Sequence, residues 1–299
     1  MNRNDVSTVL VVDAMGICHN IINTLRDLDT TPRLDQYVNA QLEWLGSGLF
    51  WKGFNGIAPN VVFCWDSKPY WRSEYLLRDD VWTRITPIKR KVKQAPAPIH
   101  YKGGRSVPPQ LMSLIKATVS QRCELKGFHS MRLMANESYG YEADDIASLL
   151  VQVNRASQNP KQIALLTRDK DWMGMIGKEV TWLCCNNDTP RVRTLENYAS
   201  CFSKVQLREP SDIWLHKALT GDASDNLPNC GGCPESAEAL LPVISLFSPP
   251  SQFDLMQDSD AVLEAHRVLD TPTPGTPNAE KAVRSLRSVG LVPCVQLIY

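Results

Sequence analysis

The chain has 299 residues, enough for one large domain or two ordinary ones with a real core. Hydrophobic residues make up 43%, which indicates a soluble globular chain, and no apolar run approaches the roughly 20 residues a membrane span needs. The formal net charge of +0 by itself predicts no polyanionic partner. The charge is nevertheless unevenly laid out. From Val81 to Cys123 there is no Asp or Glu, while Arg84, Lys89, Arg90, Lys91, Lys93, Lys102, Arg105, Lys116 and Arg122 all fall there. Nine cysteines, an odd number that includes the adjacent pair Cys184-Cys185, argue against a disulfide framework. With no secretory signal pattern, the expected setting is a reducing cytoplasm.

In chain order, Val9-Leu10-Val11-Val12 reads as a buried strand that Asp13 ends. A helix follows, with Ile17, Ile21, Ile22, Leu25 and Leu28 inward. A second helix is expected from Asp35 to about Phe50. Val61 to Trp65 is another buried strand, ended by Asp66. Pro69 to Pro109 interrupts this rhythm as a basic excursion from the sheet, and Pro108 to about Leu125 returns as a helix. Tyr141-Glu142-Ala143-Asp144-Asp145 precedes apolar residues at Ile146, Leu149, Leu150 and Val153, the spacing of an amphipathic helix. Its three acids then sit in the first turn, where the helix dipole tolerates them. Ile163 to Thr167 is a third buried strand, with Asp169 and Asp171 just past it, and Val180 to Cys184 an outer one. From Asp212 the pattern turns helical and leads into Thr220-Gly221-Asp222-Ala223-Ser224-Asp225-Asn226. Gly231-Gly232 precedes a further helix near Glu235 to Leu241, and beyond that the periodicity weakens. Apolar strands alternating with helices predict an α/β fold with a mainly parallel sheet, whose ligand site lies beyond the strands' carboxyl ends.

Three strands each deliver an acid to that edge. So many carboxylates share one site only if cations neutralise them. A cluster of hard oxygens suits Mg²⁺ or Mn²⁺ and not zinc, which prefers Cys and His. The five histidines show no ligand spacing, and Cys230-Gly231-Gly232-Cys233 is a single Cys-x-x-Cys without a second pair. Two divalent ions roughly 3.5–4 Å apart are a device for phosphodiester hydrolysis. No GxxxxGK[ST] or GxGxxG loop points to ATP or dinucleotide chemistry instead.

Val12-Asp13, Trp65-Asp66, Glu142-Ala143-Asp144-Asp145, Asp169-Lys170-Asp171 and Thr220-Gly221-Asp222-Ala223-Ser224-Asp225 together resemble the motifs of the 5′-nuclease or flap endonuclease family, in that family's order, with Tyr70-Trp71-Arg72 resembling its bacteriophage ribonuclease H and phage 5′-exonuclease branch. The resemblance covers about Val9 to Leu241. It implies a PIN-like nuclease domain over residues 1–207, with a helical arch at about 69–109. A helical region over 208–299 would carry a helix–three-turn–helix element that grips duplex DNA. It also implies roles. Asp13, Asp66, Glu142 and Asp144 resemble the ligands of a first metal; Asp145, Asp169, Asp171 and Asp225 resemble a second set, with Asp222 in support. Arg72 matches a basic residue at the arch base and, with Asp144 and Asp171, is an expected catalytic residue. Tyr70, Trp71, Arg78, Lys89, Arg90, Lys91, Lys93, Gly231 and Gly232 are the expected substrate contacts, either aromatic being equally readable as core.

Two departures stand out. The family's second arch base falls at Asp80, an acid, so that Arg78 or the Lys89–Lys93 group would replace it. The family's gripping turn, Gly-Ile-Gly before Lys-Thr, reads here Gly232-Cys233-Pro234 before Glu235-Ser236, and Pro234 lacks an N–H. The expected activity is Mg²⁺-dependent 5′→3′ exonuclease and flap cleavage of branched or nicked DNA and of RNA–DNA hybrids with single-stranded 5′ ends. The alternative is a structure-specific DNA-binding protein of the same fold that does not cut. A monomer is expected, with a single-strand-binding protein or a clamp as possible partners, in the host cytoplasm if the chain is phage-encoded.

Overall fold

The structure is a computed structural model that describes residues 8–25, 31–45, 60–77, 110–134, 138–186, 189–201, 207–222, 225, 227, 241–247 and 255–271. Its centre is strand β1 (Thr8–Asp13), whose four middle residues are fully buried. Val9 and Val11 enter one apolar cluster and Leu10 and Val12 the other, as the two-residue period of a strand requires. Burial on both faces is why the strand reads as an unbroken apolar run. β1 pairs in parallel with β2 (Asn60–Cys64) on one side, placing Asp13 opposite Cys64. On the other side it pairs in parallel with β4 (Gln162–Leu166), placing Val12 opposite Leu166. With β3 (His129–Met131), β5 (Val180–Asn186) and β6 (Thr189–Arg193) the order is β3-β2-β1-β4-β5-β6. The chain runs outward from β1 through β2 to β3, then returns to β4 on the other side. The crevice between β1 and β4 is therefore the topological switch point, where such sheets hold their ligands.

Helices α1 (Ala14–Leu25) and α2 (Thr31–Leu45) cover one face together with α4 (Gln110–Leu125), through Ile21, Val38, Leu42, Ile115 and Val119. The other face is covered by α5 (Ala143–Ala156), with Ile146, Leu149, Leu150 and Val153 buried as their spacing predicts. Between β2 and α4 lies the one-turn helix α3 (Trp71–Tyr75). Helices α6 (Asp212–Thr220), α7 (Leu241–Phe247) and α8 (Ser259–Asp270) join the same apolar cluster as α5, so one core runs across residue 208.

Three features differ from the sequence expectation. The second helix begins at Thr31, four residues before Asp35. Val180–Asn186 is not an edge, because β6 pairs with it antiparallel, Trp182 opposite Arg193. The polar run Thr189–Arg193 carries no apolar signal, and its Pro190 is tolerated because β6 is itself the edge. Helix α8 was invisible to an apolar count because its buried face is built partly from Ala261 and Ala265. Its cap is strong: the Asp258 side chain accepts from the N–H groups of Asp260 and Ala261, both at 3.1 Å. The end of α8 is tied to the sheet, with Asn60 Nδ2 donating to the Leu269 carbonyl at 3.0 Å and Lys161 paired with Asp270 at 2.6 Å. Of the expected arch, residues 78–109 lie outside the described residues, as do the turn and second helix expected near residues 228–240.

Among the described residues no helix is long and apolar enough to cross a membrane. Cys18, Cys64, Cys123 and Cys184 are buried free thiols, in keeping with a chain that does not rely on disulfides at these positions.

Leu149 is fully buried on α5. Leu149→Ala is expected to destabilise the protein by about 2–5 kcal/mol, read as a lower urea midpoint at unchanged slope.

Candidate metal centre

The site is built where the strands end. Asp13 closes β1 with both carboxylate oxygens engaged: Oδ1 accepts from the Gly16 N–H at 2.9 Å and Oδ2 from the Thr167 hydroxyl at 2.8 Å. Gly16 is required there, since a Cβ would stand 2.8 Å from Asp13 Oδ2. The same Thr167 oxygen accepts from the N–H of Asp169 at 3.0 Å, so the turn after β4 is keyed to the end of β1. Asp169 then caps the 3₁₀ helix Lys170–Met175 by accepting from the Asp171 N–H at 3.0 Å.

Asp66 follows β2, and its loop is sewn to the start of α5. Ser67 N–H donates to the Tyr141 carbonyl at 2.9 Å and Gly140 N–H to the Pro69 carbonyl at 2.7 Å. Gly140 permits this approach, since a Cβ would lie 2.3 Å from that of Ser67. Asp66 Oδ1 thereby accepts from the N–H of Ala143, the first residue of α5, at 3.0 Å. That N–H has no partner within the helix. Three loops thus bring Asp13, Asp66, Asp144 and Asp169 to one edge of the sheet. The buried Cys64 thiol reports the crowding: burial pushes its pKa up, and Asp13, Asp144 and Asp66 push it further.

Glu142, Asp144 and Asp145 form a tighter group, with carboxylate oxygens within 4.8 Å of one another. One cation, Arg72, serves all three. Its Nη1 donates to Glu142 at 2.5 Å and to Asp145 at 3.0 Å, and its Nη2 to Asp145 at 2.8 Å and to Asp144 at 3.4 Å. Its Nε donates to the Leu246 carbonyl of α7 at 3.0 Å. All donors of the guanidinium fork are used, and Trp71 lies under it at 4.6 Å. Asp145 is fully buried and also accepts from Trp71 Nε1 at 2.8 Å and from the Glu142 N–H at 2.9 Å. A second group forms around Lys217 of α6, whose ammonium pairs with Asp171 and, at 2.6 Å, with Asp222.

Charge crowding shifts the acids. Removal from solvent raises Asp13 to about 6; Gly16 and Thr167 pull it back, and Asp66 and Asp169 add to the rise. Burial and then Asp169 raise Asp171 to about 7, with Lys217 opposing. Burial depresses the Lys217 ammonium, but Asp171 and Asp169 outweigh it and hold its pKa above the ordinary lysine value.

The structure places the expected site residues as follows. Asp13, Asp66, Asp144 and Asp169 lie near one another at the carboxyl edge of the sheet, Glu142 and Asp145 are buried on Arg72, Asp171 and Asp222 meet on Lys217, and Asp225 lies half-buried three residues after Asp222. Trp71 is in the core, edge-on to Tyr75 at 5.6 Å, and presents no open face on which a base could stack. Arg72 is buried among carboxylates, so its fork is committed to the protein itself and not to a phosphate beyond it. Tyr70 remains half-exposed, its hydroxyl 3.4 Å from Asp66 Oδ2. Arg78, Lys89, Arg90, Lys91, Lys93, Gly231 and Gly232 lie outside the described residues. Sequence reasoning missed Lys217 and Thr167; no local pattern marks either.

The donor set fits hard divalent cations, since every candidate ligand is a carboxylate oxygen. Beside Asp13 opens a cleft of about 240 Å³, lined by Ile17, Asn20, Tyr37, Gln41, Trp44 and Arg168 among others.

No protein-family model matches the chain. Over 144 residues, 47% of this chain, it is 30% identical to the thermostable DNA polymerase I of Thermus filiformis, covering 15% of that protein. Over 138 residues, 46% of this chain, it is 28% identical to the 5′-3′ exonuclease of Mycoplasmopsis pulmonis, covering 43% of it. The chain thus spans less than half the length of these curated relatives. A structure of the phage T5 5′-exonuclease with bound divalent metal ions (zinc) superposes with a TM-score of 0.50 at 13% identity, covering 97% of this chain and 96% of that one. A pseudo-enzyme–product complex of the T5 flap endonuclease with DNA and metal ions superposes equally, at 0.50 and 12% identity over 94% and 98%. At such identity the structural likeness establishes the fold.

Two outcomes are expected of the site. Arg72→Met leaves Glu142 and Asp145 buried without their counter-ion and should destabilise by about 3–5 kcal/mol, measured by chemical denaturation. Asp13 binds its proton more tightly folded than unfolded, so its contribution is fully present below pH about 3.8 and is lost as pH rises through about 6. In metal-free buffer the melting temperature of Asp13→Asn should therefore gain on that of the unaltered protein between pH 4 and pH 7.

Proposed function

We propose that this chain, whose sequence relatives include a 5′-3′ exonuclease and whose fold is that of the phage T5 5′-exonuclease, is a divalent-metal-dependent 5′-nuclease that hydrolyses phosphodiesters near the 5′ ends of nucleic acids. The observation that carries this reading is the meeting of acids from three strand ends and one helix start at the carboxyl edge of the sheet.

In this reading Asp13, Asp66 and Asp144 hold one cation, with Glu142 beside them. Asp169, Asp171, Asp222 and Asp225 hold a second. Mg²⁺ is the proposed ion, with Mn²⁺ as a substitute. Bound there, the ions would lower the pKa of a water and offset charge building on the phosphate. The residues of the chain do the rest. Thr167 and the Gly16 N–H fix the orientation of Asp13. The Ala143 N–H fixes Asp66. Asp145 does not reach outward; it anchors the start of α5 to Arg72 so that Asp144 is held toward the crevice. The cleft beside Asp13 offers amide and aromatic groups to a nucleotide next to the scissile phosphate. The proposed substrates are flapped or nicked DNA and RNA–DNA hybrids, held by the basic segment from Arg84 to Arg122.

The test uses a 5′-labelled flap and a 5′-labelled RNA–DNA hybrid. Short labelled products are expected in Mg²⁺ and none in EDTA. Asp171→Asn should cut at least ~100-fold more slowly, about 2.7 kcal/mol of barrier. Tight binding of the flap without cleavage in both Mg²⁺ and Mn²⁺ would replace this reading with a non-cleaving, structure-specific DNA-binding protein.

A further inference from the structure

Arg72 and Lys217, each paired with acids of the site, are held very differently. Arg72 is locked: it stacks on Trp71, donates to the Leu246 carbonyl and bridges Glu142 and Asp145 with a rigid planar fork, at 2% side-chain exposure. Its contact to Asp144 is the long one, 3.4 Å, and Asp144 keeps 20% of its side chain exposed. A metal ion can therefore recruit Asp144 without moving the guanidinium. At the other end, Lys217 places a single ammonium on a flexible stem between Asp171 and Asp222. The base of that stem is fixed. Trp214, one turn earlier on α6, donates through Nε1 to the Asp171 carbonyl at 3.1 Å, and Gly174 makes room for its ring, since a Cβ there would stand 2.4 Å from it. The ammonium thus occupies carboxylate oxygens of two residues in the proposed second metal set.

We propose that Lys217 is a built-in monovalent counter-ion of the Asp171–Asp222 site, and that a second divalent ion binds there only by displacing it. The proposal rests on the metal-dependent reading above. It makes the two ends of the crevice unequal. At the Asp13–Asp66–Asp144 end the incoming ion competes with the long 3.4 Å contact from Arg72 to Asp144. The Lys217 end loses two ion pairs, so it fills second and at higher metal concentration. The ammonium also has a use once displaced: it stays tethered beside the ion as a mobile donor at the edge of the site.

The probe is Mn²⁺ alone, with free ion counted by its paramagnetic resonance signal. The unaltered protein is expected to show two classes of sites. In Lys217→Gln, which keeps a polar side chain and removes the charge, the weaker class should tighten at least ~10-fold while the tighter class stays put; tenfold corresponds to about 1.4 kcal/mol. Lys217→Arg, which keeps the charge, should not tighten it. A purely structural role would give no selective gain in the neutral variant. A second measurement needs no variant: acylation of Lys217 in the unaltered protein, followed by peptide mass, should speed up at least ~3-fold when the weaker class is filled with Mn²⁺, since a paired ammonium must leave its partners to react. A weaker class that is unchanged or weakened in Lys217→Gln, a single class of sites, or acylation indifferent to Mn²⁺ overturns the proposal and leaves the nuclease reading intact. No Mn²⁺ uptake by the unaltered protein would overturn both.

Discussion

The structure depends on how one edge of a sheet tolerates its own negative charge. At an effective dielectric constant of about 20, two like charges 4 Å apart repel by about 4 kcal/mol, so a crevice of uncompensated carboxylates would push its walls apart. The Arg72 guanidinium prevents this. It joins the loop after β2 to the start of α5 through Glu142 and Asp145, and joins both to α7 through the Leu246 carbonyl. One side chain thus links the site, the core and the C-terminal helices. A buried ion pair of this kind contributes little net stability compared with an apolar core, but it specifies one arrangement, because losing either side strands the other.

The sheet order decides which acids meet. Asp13 and the Thr167–Asp171 turn belong to strands that are far apart in sequence and adjacent in space, at the point where the winding reverses. Asp66 arrives from the neighbour on the other side. The acids then divide by burial. Asp145, with no exposure, organises the backbone, while Asp144, one residue earlier, stays partly exposed at the edge of the site. Adjacent residues on a helix point about 100° apart, so the Asp-Asp pair does both at once.

Much of this was legible beforehand. The strands β1, β2 and β4 announced themselves as β-branched runs, and the first polar residue after each marked the sheet's carboxyl edge. The helix after Glu142 was legible from Ile146, Leu149, Leu150 and Val153. The motif order pointed to the 5′-nucleases and to their fold. Other parts were not legible. Trp71 read equally as a stacking platform or a core residue, and Arg72 as a basic residue facing the scissile phosphate; the partner they share, Asp145, lies more than 70 residues further on. Helix α8 hid behind its alanines, and β6 behind its polar residues.

The sequence alone determined the fold class and the positions of the acids, because periodicity and acids at the ends of apolar runs are local properties. Only the tertiary structure decided which charged residues face a ligand and which face each other. Arg72 became a buried brace and Lys217 the companion of Asp171 and Asp222, because pairing of charges depends on distance in space, and distance in space is set by the sheet order and not by spacing along the chain.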